Sequence, residues 1–115
     1  MSDLLSKKCV PCEGGELPLT RKQAKMMMPQ VPGWALEGEK VIGRAFTLKD
    51  FASAIRFVNV VADVAEQEGH HPDILIHGWN HVTFTLSTHA IKGLSGNDFI
   101  MAAKINETAK KFGIS

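Results

Sequence analysis

The hydrophobic patterning of this chain predicts an α+β fold: two layers, with a four-stranded antiparallel sheet carrying helices on one face, in the order α-β-β-α-β-β-α. Three observations carry that prediction. Two segments, one beginning at Asp50 and one at Asn97 or Asp98, repeat apolar residues every three or four positions, as amphipathic helices do. Two pairs of short segments read as strands, the last of them with a clean period-two alternation. Each pair is joined by a loop short enough to require an antiparallel return. The 115 residues suffice for one modest core, placed at residues 20–115 after an N-terminal arm at 1–19.

The arm is rich in Gly, Pro and charge and has no periodicity. Thr20 then offers a helix cap, with Gln23 three residues on in capping-box spacing. The short helix from Arg21 would turn Ala24, Met27 and Met28 inward and stop at Pro29. Residues 34–36 and 40–48 read as strands around a Glu37-Gly38-Glu39 turn, with Ile42, Phe46 and Leu48 on one face. The helix from Asp50 carries Phe51, Ile55, Val58, Val61 or Ala62, and Ala65 as its apolar stripe. Gly69 ends it, and Pro72 bars continuation. Residues 74–76 form a third strand, Gly78-Trp79-Asn80 a hairpin connection, and 82–88 the return strand. There Val82, Phe84 and Leu86 point one way; Thr83, Thr85, Ser87 and, with the strand continued, His89 point the other. In the last helix Phe99, Ala102, Ile105, Ala109 and Phe112 are the buried stripe, and Gly113 is the stop.

Composition excludes several function classes. A net charge of +1 supplies no field for nucleic acid or an anionic membrane surface. No apolar run approaches the ~20 residues of a membrane span, and the first residues lack the order of a secretory signal. The cytoplasm is the expected compartment. Cys9 and Cys12 form an isolated CxxC without a second pair or a βαβ context. The pair reads as a plain reduced surface segment, with zinc recruitment beside a histidine as the alternative.

The candidate chemistry lies in the histidines. Imidazole exchanges protons near neutrality, which suits it to acid–base work and to metal binding. His70 and His71 stand side by side between Gly69 and Pro72, where extended backbone sends neighbouring side chains to opposite sides. Two such rings do not readily chelate one ion. His77 and His81 flank the hairpin and can meet across it, but no third ligand completes a site. No metal is expected. Acid–base chemistry needs one histidine from the helix-end loop and another from the sheet, and His70 or His71 with His89 meets that need. Glu66, four residues before His70, is placed to orient an imidazole and favour its charged form. The plainer reading is that His70 and His71 merely cap a helix terminus, whose dipole favours cations.

Three motifs, Glu66-x-x-x-His70-His71-Pro72, Thr85-Leu86-Ser87-Thr88-His89 and Gly93-Leu94-Ser95-x-x-Asp98, closely resemble the pterin-4a-carbinolamine dehydratase family. The likeness runs roughly over residues 32–111 and includes Gly33-Trp34 and Lys49-Asp50-Phe51. It implies dehydration of 4a-hydroxytetrahydropterin to quinonoid dihydropterin, which recycles the pterin of aromatic amino-acid hydroxylases, without a metal or organic cofactor. Carried over by position, His70, His71 and His89 are the family's imidazoles. His70 and His89 would move protons, His71 would chiefly hold the pterin, and Glu66 would orient the histidines. Ser87 and Thr88 would hydrogen-bond the ring, with Asp98 and Trp34 near the site. A homodimer or homotetramer is implied, with an aromatic amino-acid hydroxylase as functional partner. The alternative is a non-catalytic binding, dimerisation or assembly module of the same fold. Asn97 departs from animal members, which carry arginine there, and the segment 9–15 looks like an extension of bacterial members.

Overall fold

A computed structural model describes residues 4–10 and 17–114. In chain order these form α1 (Arg21–Met27), β1 (Ala35–Glu37), β2 (Val41–Thr47), α2 (Phe51–Glu68), β3 (Asp73–His77), β4 (His81–Leu86) and α3 (Gly96–Lys111). Short 3₁₀ turns lie at Leu4–Ser6, Met28–Gln30 and His89–Ile91. The sheet order is β1-β2-β4-β3, antiparallel throughout, so the two hairpins meet along β2 and β4. This is the α+β arrangement that the patterning predicts.

Local chemistry explains most of the boundaries. Thr20 Oγ1 accepts the Gln23 amide while the Gln23 side chain accepts the Thr20 amide, closing the expected capping box on α1. Asp50 caps α2 by accepting the Ser53 amide at 2.8 Å. That bond holds the Asp50 carboxyl below its ordinary range. Gly69 ends α2 in the left-handed conformation at φ 67°, where a side chain would be strained. In β4, Val82, Phe84 and Leu86 are buried, and between them Thr83 and Thr85 remain partly accessible.

Two expectations need correction. The buried stripe of α2 is Ala54, Phe57, Val61 and Ala65, whereas Phe51 is 52% exposed and Ile55 and Val58 are only partly covered. Two apolar rows run along this helix, and periodicity does not say which one faces the sheet. The fit of Phe57 decides it: its ring lies 5.1 Å from Phe46, 5.6 Å from Phe84 and 5.4 Å from Phe112. Second, α3 starts earlier than Asn97, because Ser95 caps it and Asp98 completes a second capping box.

The described part of the N-terminal arm is not loose. Leu4 is buried in the core, and the Leu19 amide donates to the Leu94 carbonyl at 2.8 Å. Replacing Phe57 with alanine should lower unfolding free energy by about 3–5 kcal/mol, because it removes three aromatic contacts and leaves a void. Urea unfolding of the two proteins measures this.

Candidate active site

The end of α2, the end of β4 and the start of α3 meet at one edge of the domain. Gly69 reverses the chain there, so His70 and His71 leave the helix in different directions. His70 turns inward, with its side chain 12% exposed, and its Nε2 lies 2.6 Å from Asp98 Oδ1. His71 turns outward, and its Nε2 lies 2.5 Å from Glu66 Oε2; both side chains are well exposed, at 60% and 76%. The splaying expected of the pair is therefore present. Of the two imidazoles that Glu66 could orient, it meets His71 rather than His70. Spacing of i and i+4 aligns side chains only within a helix, and the left-handed Gly69 ends that geometry before His70.

Asp98 is the buried centre of the arrangement. Its carboxylate is fully buried, and Oδ2 accepts the Thr88 hydroxyl at 2.8 Å and the Ser95 amide at 3.0 Å. With His70 on Oδ1, three groups meet one carboxylate that water does not reach. An ionised carboxylate accepts, so His70 Nε2 donates to it, and in the neutral ring Nδ1 then carries the lone pair. The Thr88 hydroxyl has one proton and gives it to Asp98, so Ser95 Oγ donates to Thr88 Oγ1 across their 2.7 Å contact. Thr88 thus holds the network together, and its hydroxyl proton is committed.

His89 reaches the same place by a different route from the one expected. β4 stops at Leu86, and His89 opens the turn His89–Ile91, closed by backbone bonds between Thr88 and Gly93. It is exposed, and it lines a cleft of about 260 Å³ together with His70, His71 and Ser87. Val10 and Asn97 complete the wall, and Thr88 backs it. Sequence reasoning did not find Val10 or Asn97. The Ser95-x-x-Asp98 capping box was the available signal for Asp98, since it fixes that carboxylate at a helix start beside the loops.

Trp34 does not line this cleft. Its ring N–H donates to Asn106 Oδ1 at 2.8 Å, and its side chain is buried. Asn106 lies eight residues beyond Asp98, about 12 Å along the helix axis, which separates Trp34 from the histidines. His77 and His81 do meet across the hairpin, stacked with ring centroids 5.3 Å apart. Among the described residues no group of three or more His, Cys, Asp or Glu is placed to hold a metal ion. Cys12 lies outside the described residues. A larger concavity of about 660 Å³ between Phe46 and Phe112 is lined by Lys49 and Arg56 as its ionisable groups, with no imidazole or carboxylate for acid–base work. No helix among the described residues is long and apolar enough to cross a membrane.

Comparison with known proteins identifies the family. The family model described as pterin 4 alpha carbinolamine dehydratase matches residues 17–108. A Halorhodospira halophila protein named for pterin-4-alpha-carbinolamine dehydratase is 48% identical, over 90% of this chain and 94% of its own. The mitochondrial pterin-4-alpha-carbinolamine dehydratase 2 of Arabidopsis thaliana is 45% identical, over 93% of this chain and 59% of its own length. Among solved structures, a transcriptional coactivator/pterin dehydratase from Brucella melitensis superposes with a TM-score of 0.74 at 34% identity, covering 80% of this chain and 98% of its own.

Proposed function

The chain belongs to the pterin-4a-carbinolamine dehydratase family, and from that premise we propose how its cleft removes water from 4a-hydroxytetrahydropterin. In this reaction the C4a–O bond breaks, the hydroxyl leaves as water after gaining a proton, and N5 loses its proton as the C4a–N5 double bond forms. One group must give a proton to the C4a hydroxyl and another must take one from the neighbouring N5 of the bound ring. The observation that carries the assignment is the convergence of His70, His71 and His89 on one cleft, with His70 anchored to buried Asp98.

His70 and His89 are the proton-transfer pair. His70 exchanges through Nδ1, because Nε2 is engaged by Asp98. His89 is unburied and comes from the opposing turn, so the substrate fits between them. His71, steadied by Glu66 at the exposed rim, holds the pterin. Ser87 brings a hydroxyl to the wall that has no partner among the described residues, and Thr88 contributes through the Asp98 network. The product re-enters the cycle of an aromatic amino-acid hydroxylase, the functional partner of this reading.

Self-association accompanies the activity. Ile74 and Leu75 are exposed on β3, an outer strand of the sheet, and Phe51 and Val60 are exposed on α2. Both are surfaces that a second copy would cover. A stopped assay following breakdown of 4a-hydroxytetrahydropterin tests the function. Catalytic amounts of the protein should speed it well above the spontaneous rate. An unchanged rate would overturn the enzyme and leave the binding-module alternative.

A further inference from the structure

Val10 enters the cleft from a segment that belongs to none of the elements forming the rest of it. Its backbone is held at several points. The Cys9 amide donates to Glu68 Oε1 at 2.8 Å, and the Val10 amide donates to Asn97 Oδ1 at 2.9 Å. Asn97 Nδ2 donates back to the Val10 carbonyl at 2.5 Å, so one side-chain amide pairs with both backbone groups of Val10, as a neighbouring strand would. Cys9 Sγ sits 3.6 Å from the Asn97 carbonyl. Glu68 is itself fixed by Lys104 at 3.2 Å. Burial alone would raise the Glu68 carboxyl, but the Cys9 amide and Lys104 outweigh it and hold the group below its usual range. Val10 is nevertheless 64% exposed, so hydrophobic burial is not what keeps it there. Directional polar bonds hold an apolar side chain at the mouth of a polar cleft.

We propose that Cys9 and Val10 form a docked strap that completes the substrate cleft, with Val10 packing against the bound pterin and limiting the bulk admitted beside it. Asn97 and Glu68 are its positioning residues. The proposal rests on the dehydratase reading for the identity of the ligand, while the docking stands on the bonds above.

Two variants and a thiol probe test it. Val10→Trp, at an exposed position, leaves the docking bonds in place and narrows the cleft. It should raise KM about 3- to 10-fold, more for pterins with a bulky 6-substituent, with kcat within about twofold. Asn97→Ala removes both bonds to Val10 and should raise KM similarly. Cys9 reports the docking directly. Replacing Cys12 with serine leaves Cys9 as the chain's one thiol. Burial, and then the nearby Glu68 carboxylate, push that thiol up to about 12, so iodoacetamide should react slowly. Adding Asn97→Ala should speed alkylation about tenfold or more, and saturating 7,8-dihydropterin should slow it in the parent. Alkylation unchanged by Asn97→Ala overturns the docking. A KM unchanged in Val10→Trp overturns the wall. An inactive parent whose Cys9 is still protected by dihydropterin would sink the dehydratase reading while supporting the strap.

Discussion

Replacing His70 with alanine is expected to slow the dehydration by about 10²–10⁴-fold, the usual worth of a positioned proton-transfer group. The loss should fall on kcat. His70 is partly buried and fixed at one nitrogen by Asp98, so its other nitrogen is presented in a single orientation. The contrast with His71 makes the result diagnostic. That ring is exposed and, among the described residues, paired with an exposed glutamate, so His71→Ala should act mainly through KM. Steady-state kinetics on both variants separate the two roles. Equal losses of kcat would overturn the division of labour. A His70→Ala enzyme with unchanged kcat would remove His70 from the proton path altogether.

Removing the Asp98 carboxylate should be the most damaging polar change in the molecule. Asp98→Ala deprives His70, Thr88 and Ser95 of their common acceptor within a region closed to water. Each buried donor left unpaired costs about 1–3 kcal/mol, which urea unfolding will show as a lower midpoint. Asp98→Asn isolates the chemical effect. The amide oxygen can still accept from Thr88 and Ser95, but an NH₂ now faces His70 Nε2. To accept from it, the imidazole must move its proton to Nδ1, which is the atom proposed to exchange protons. The variant should remain folded while kcat falls about 10²-fold or more. Full activity in Asp98→Asn would refute the positioning role.

Both expectations depend on contacts that only the folded chain reveals. Glu66 stands at helical spacing from His70, yet it pairs with His71, because one left-handed residue at Gly69 redirects everything after it. His89 was expected at the end of a strand, and it joins the cleft from a turn held by Thr88 and Gly93. Trp34, near the site by resemblance, spends its one ring N–H on Asn106 in the core. In each case the chemistry of the residue was legible and its neighbour was not.

Short-range physics is written in the chain itself. Capping residues, glycine and proline stops, and alternation in β4 act within a few positions, so the elements, their order and the antiparallel pairing follow from reading along it. The three histidines made acid–base chemistry a candidate for the same reason, since ready proton exchange near neutrality is a property of the imidazole side chain. What required the tertiary structure is every choice made between segments distant in sequence: which row of α2 Phe57 commits to the core, which carboxylate holds His70, and where Cys9 and Val10 dock. These depend on shape and on the cost of leaving a buried polar group unpaired, and both are settled only when the elements pack.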